Sequence, residues 1–132
     1  MSVPPAPFQV FITWLARVAF AVGLVLVVVF SLTPASGLPS TGISDKIEHF
    51  LAYFALAAVA AVGFQGRRAR LVIIVSLIGF GILMEIGQMF APGRDATIAD
   101  ALANTLGVLC GVTAGSLGVR FLDALRPLLK AS

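Results

Sequence analysis

The run LVIIVSLIGFGILMEIGQMF, Leu71 to Phe90, carries one acid, Glu85, and no basic residue. A helix of about 20 mostly apolar residues covers the hydrocarbon thickness of a bilayer, so this stretch reads as a transmembrane helix. Pro92 and Gly93 follow it and predict an end near Phe90. At about 1.5 Å per residue, Glu85 then lies roughly 7–8 Å inside that end. An ionisable side chain at such depth is expensive in lipid and calls for a function or a partner.

Similar runs flank this one at Phe8 to Leu32, Ile47 to Phe64 and Ile98 to Phe121. The chain has 132 residues, 59% hydrophobic and 11% charged, and its mean hydropathy is +1.04. Soluble domains carry about a quarter charged residues. The pattern predicts an all-α integral membrane bundle of four transmembrane helices, one domain over residues 1–132, with spans at about 8–32, 47–64, 71–90 and 98–121. The short connections leave no room for a separate soluble domain. Three prolines in Met1 to Pro7 predict a short irregular tail. Ala19 to Phe30 resembles a signal-peptide core, but its basic flank is a single Arg17 and no small-x-small cleavage site follows, so the span is expected to be retained. Arg17 is expected to reach back to the headgroups.

Net charge +3 and pI ≈ 9.8 do not indicate nucleic acid, because the basic residues sit at span edges. Arg67, Arg68 and Arg70 occupy the second loop, and Arg126 and Lys130 follow the last span. The positive-inside rule places these regions in the cytoplasm, which puts both termini inside and the first and third loops outside. Cys110 is the only cysteine and lies mid-span, where it reads as a small packing residue rather than a redox group.

Asp45 and Glu48, and again Thr97 and Asp100, have the spacing of a helix capping box. The second helix should therefore start near Asp45, and the fourth at Asp95 to Thr97. Gly107, Gly111 and Gly115 recur every four residues, a stripe that lets another helix approach closely.

The remaining polar residues fall at one membrane face. Asp45, His49 and Tyr53 step by four along one face of the second helix. Glu85 and Gln88 share a face of the third, Asp100 and Asn104 share one of the fourth, and Arg94 stands in the loop above with a planar fork suited to a carboxylate or phosphate. These side chains should converge. Lys46 and Arg94 stand there against Asp45, Glu48, Glu85, Asp95 and Asp100, which leaves −3 with His49 neutral. Either Glu85 carries a proton, or Arg94 and His49 pair with acids, or a cation balances the cluster.

The ordered motifs Asp45-Lys46-x-x-His49, Glu85-x-x-Gln88, Pro92-Gly93-Arg94 and Asp100-x-x-x-Asn104-x-x-Gly107, with Ser31-Leu32-Thr33-Pro34 closing the first span, resemble those of the VanZ-like family. The resemblance covers nearly the whole chain. It implies a small bacterial inner-membrane protein of the cell envelope, from a family named for resistance to the glycopeptide teicoplanin. The matching positions are Asp45, Lys46, His49, Tyr53, Glu85, Gln88, Arg94, Asp100 and Asn104.

Several functions stay open at this point. A binding module would hold an amphipathic envelope molecule, such as a lipid-linked precursor or a lipoglycopeptide, with Arg94 and Lys46 on its anionic group and Tyr53 with the helix walls on its apolar part. An enzyme acting on a lipid-linked envelope substrate would use His49 as general acid or base, Glu85 or Asp100 to orient it, and Arg94 against developing negative charge. A transporter or proton relay would need a second polar set toward the cytoplasm, which the sequence lacks, so that a through path would have to be built by an oligomer. A purely structural polar network is the remaining alternative. One histidine with scattered acids (Asp45, Glu85, Asp100) is a weak metal pattern, so no metal and no cofactor are expected. Membrane lipid is the expected partner, nucleic acid is not, and oligomerisation is compatible with the sequence.

Overall fold

A computed structural model describes residues 7–39 and 41–130. Its α-helices are α1 (Pro7–Leu32), α2 (Asp45–Gly63), α3 (Arg67–Gln88) and α4 (Ile98–Lys130), with a single 3-10 turn at Ala35–Gly37. All four helices are long and apolar enough to cross a membrane. The chain is a multi-pass, all-helical membrane protein.

The boundaries follow local chemistry. Of the expected irregular tail, Met1 to Ala6 lie outside the described residues, while Pro7 opens α1, where its missing N–H is no loss and its fixed φ suits the first turn. Helix α3 begins at Arg67 rather than after Arg70. Gly66, at φ +107, sets the chain direction, and arginine is a good helix former, so the loop arginines join the first turn. The same helix ends at Gln88, two residues before the expected Phe90. Helix α4 runs on past Phe121, and its apolar stretch reaches Leu125.

The two capping expectations have different outcomes. Thr97 caps α4: its Oγ1 accepts from the Asp100 N–H at 3.2 Å and donates to Asp100 Oδ2 at 2.5 Å. Asp45, by contrast, is the first helical residue of α2 behind Ser44, and Glu48 accepts instead from the Thr41 hydroxyl. The loop folds Thr41 back over the helix start and occupies the carboxylate that a capping box would need.

Helix α2 lies at the centre. Its residues Tyr53, Leu56, Ala57 and Ala60 form the core with Ile73 and Leu77 of α3 and Val108 and Val112 of α4. A Cβ at Gly107, Gly111 or Gly115 would collide with the carbonyl oxygens of Phe50, Phe54 and Ala58 respectively. In lipid, where apolar burial gives little net drive, such backbone-to-backbone approach is what holds helices together. Helix α1 is the outlying member, with Ala16 and Ser31 its buried residues. Cys110 is exposed on the outer face of α4 rather than packed inside.

Each end of the bundle has its own chemistry. At the arginine end, Arg17 Nε donates to the Gly63 carbonyl at 2.8 Å, and its guanidinium lies 5.1 Å from the centre of the Phe64 ring. Arg17 thus ties α1 to the last turn of α2, a specific contact where headgroup snorkelling was expected. At the opposite end, the Ala35 N–H donates to the Pro92 carbonyl at 3.1 Å and joins the loop after α1 to the α3–α4 loop. Gly93, at φ +74, makes the turn that carries Arg94. The side chains of Arg126 and Lys130 lie outside the described residues.

Candidate functional site

The polar residues gather at the end where α2 and α4 begin and α1 and α3 finish. They form two adjoining arrangements that share His49.

The first is a buried network between α2, α3 and α4. Asn104 Nδ2 donates to Glu85 Oε1 at 3.0 Å, which aims the amide oxygen at His49, 3.0 Å from Nδ1. His49 Nδ1 is also 3.3 Å from Glu85 Oε1. Both atoms facing Nδ1 are acceptors, so Nδ1 carries a proton, and the neutral tautomer that fits these bonds is the one with Nε2 as acceptor. Asp100, bonded by Thr97, stands 3.5 Å from Lys46 Nζ. Glu85, Asp100 and Asn104 are all buried. Gly81 makes room for the network, since a Cβ there would lie 3.3 Å from both Asn104 Cβ and the Tyr53 ring.

The second arrangement is a cleft of about 350 Å³ between α1 and α2, closed at its polar end by the tip of α3 and its following loop. Gly23, Leu26, Val27 and Phe30 form one apolar wall, and Ala52, Ala55, Leu56 and Val59 the other. The polar end is lined by Ser31, Glu48, His49, Tyr53, Gln88 and Arg94. Tyr53 and Gln88 are each 2% exposed, yet Tyr53 Oη and Gln88 Nε2 have no hydrogen-bond partner among the described residues. Buried polar groups are almost always paired, so these two atoms, on side chains that line the cleft, mark unfilled bonding capacity beside it. Arg94 makes a weak 3.5 Å contact with the Phe30 carbonyl and no ion pair among the described residues.

The predicted site residues therefore divide. His49, Tyr53, Gln88 and Arg94 line the cleft. Glu85, Asn104 and Asp100 belong to the buried network and do not line it, Lys46 reaches Asp100 from an exposed position, and Asp45 is exposed. Lys46, expected to hold an anionic group beside Arg94, is turned to Asp100. Pairing of Arg94 with an acid, one of the three ways of balancing the cluster, is not found among the described residues. Sequence reasoning missed Ser31, Gly23 and the cleft role of Glu48. A glycine inside the Ala19 to Phe30 run was the available sign of a close approach, since a Cβ on Gly23 would come within 2.8 Å of Leu56 Cδ1. Among the described residues, no group of three His, Cys, Asp or Glu side chains is arranged to hold a metal ion.

A family model described as VanZ/LLP1 matches residues 6–118, which takes in α1, α2, α3 and most of α4. No curated protein and no solved structure matches the chain.

Proposed function

We propose a binding function from one premise: the chain belongs to the VanZ/LLP1 family of membrane proteins. In this reading the cleft holds an amphipathic envelope molecule, lipid-like or glycopeptide-like, with its tail between α1 and α2 and its anionic group at Arg94. The observation that carries it is that Tyr53 and Gln88, each with a buried polar atom lacking a partner among the described residues, line the same cleft as Arg94. Glu85 Oε2 and Asp100 Oδ1 are also buried without a hydrogen bond among the described residues, but their side chains do not line the cleft, whereas Tyr53 and Gln88 do. Along α1 the lining runs from Ala19 to Phe30, about 16 Å of helix, long enough for a substantial length of acyl chain. We place the polar end at the outer face of the bacterial inner membrane, with both termini in the cytoplasm, because Arg67, Arg68 and Arg70 mark the other end.

The pinned tautomer of His49 favours a second reading. With Nδ1 donating to Asn104 and Glu85, Nε2 is a competent general base on a side chain that lines the cleft. The bound amphiphile would then be a substrate.

Native mass spectrometry of protein extracted with its lipids tests the binding reading. The wild type should carry a distinct amphiphile mass that Arg94→Ala loses. Equal, unselective lipid carriage by both proteins would overturn it. A recovered molecule converted by the wild type but not by His49→Ala would establish the second reading.

A further inference from the structure

The charges lining the cleft do not add up to an anion trap. Arg94 is its lining cation and Glu48 its lining acid among the described residues. The other acids of this end stand elsewhere: Asp100 with Lys46, Glu85 within the His49 and Asn104 network, Asp45 and Asp95 exposed outside the lining. Glu48 takes one hydrogen bond, from the Thr41 hydroxyl to Oε1, which leaves acceptor capacity on the carboxylate. The next residue along the same helix, His49, contributes Nε2 as a second acceptor, because Nδ1 is committed to Asn104 and Glu85. The same cleft end holds the donors of Arg94 and the unpaired amide of Gln88, with the buried Tyr53 hydroxyl able to serve either partner.

A purely anionic head group would satisfy Arg94 and leave the half-buried Glu48 of the same lining without a counter-charge. A neutral or cationic one would leave Arg94 unpaired. Resting on the binding reading above, we infer that the cleft selects a zwitterionic amphiphile of the phosphoethanolamine class. Its phosphate sits on Arg94 and Gln88, its ammonium on Glu48 and His49 Nε2, and its acyl chain lies along the α1–α2 walls. Each group of the head then meets a group of opposite character, and the cleft with its guest has no net charge.

The test is competition between two lipids that differ only in the head. The full chain is delipidated and equilibrated with mixed micelles containing equal amounts of phosphatidylethanolamine and phosphatidylglycerol with matched acyl chains, and the retained lipid is quantified. The wild type should retain phosphatidylethanolamine over phosphatidylglycerol by about tenfold, the ratio set by one charge-assisted hydrogen bond. Glu48→Gln should bring the ratio near parity, and Arg94→Ala should lose both lipids. Thr41→Val, which removes the hydroxyl on Glu48 but not its charge, should keep the wild-type ratio and so separates charge from local folding. A wild type that retains phosphatidylglycerol as well as or better than phosphatidylethanolamine overturns the zwitterion inference while the binding reading stands. A wild type that retains neither overturns both.

Discussion

His49 Nδ1 stands 3.3 Å from Glu85 Oε1, and this pair is the hinge between the two polar arrangements of the protein. Glu85 belongs to the interior, where it also receives the Asn104 amide at 3.0 Å. His49 belongs to both, since it bonds inward and lines the cleft. The network accordingly serves to hold one side chain of the cleft in a defined tautomer.

Asn104 is 1% exposed and is the link that bonds both partners. Replacing it with leucine removes the donor to Glu85 Oε1 and one acceptor from His49 Nδ1, and leaves those two atoms their own 3.3 Å contact. We expect Asn104→Leu to lower stability by about 1–3 kcal/mol, read as a reduced melting temperature in detergent. A melt equal to the wild type would show that the network contributes nothing to the fold.

The glycines of α4 give a sharper contrast. Gly111→Ala drives a methyl into the Phe54 carbonyl oxygen and should destabilise by about 2 kcal/mol or more, in the range of overpacked interiors. A Cβ on Gly118 would have nothing within 4 Å of it, so Gly118→Ala should be neutral or raise stability by up to about 1 kcal/mol through helix propensity. Thermal melts of the two variants side by side check this. Similar behaviour of both would contradict the close α2–α4 approach.

How much of this was legible in the sequence depends on the kind of fact. The spans were readable because long apolar runs in a chain with few charges have one physical use. The gathering of His49, Glu85 and Asn104 was readable because i, i+4 faces and the expense of buried charge force polar residues inward. What the sequence could not show was how far each helix is rotated. A small turn of α2 decides whether Glu48 caps its own helix or lines a cleft, and a loop glycine decides whether Arg94 meets the acids or Phe30. Helix ends moved for a similar reason: Arg67, Leu122, Ala124 and Leu125 are good helix formers, and hydropathy marks the membrane rather than the helix.

Orientation is open to direct labelling. In a Cys110→Ala background, single cysteines are placed at Ile43, beside the polar end, and at Gln65, beside the arginine end; both positions are exposed. An impermeant thiol reagent applied to intact cells should modify the cysteine at Ile43 and spare the one at Gln65. The reverse pattern would place the cleft on the cytoplasmic side.

Blocking the cleft without touching its polar groups separates binding from folding. Ala52 lines the cleft and is exposed on α2, so a large side chain there meets little resistance from the core. Ala52→Trp should melt within about 0.5 kcal/mol of the wild type, as surface changes do, and should fail to retain the amphiphile. Retention at the wild-type level would move the ligand out of this cleft.

The claim that the polar end of the cleft is completed by a guest is tested most directly at Tyr53. Its hydroxyl is buried without a partner among the described residues, so in lipid-free protein Tyr53→Phe removes an unsatisfied group and should cost nothing. The measurement is the rise in melting temperature on adding phosphatidylethanolamine, compared between wild type and Tyr53→Phe, since a ligand that binds only the folded state raises its stability. The account predicts a lipid-free melt equal to or above the wild type and a clearly smaller lipid-induced rise. A lower lipid-free melt with an undiminished rise would show that the hydroxyl serves the fold and not the guest.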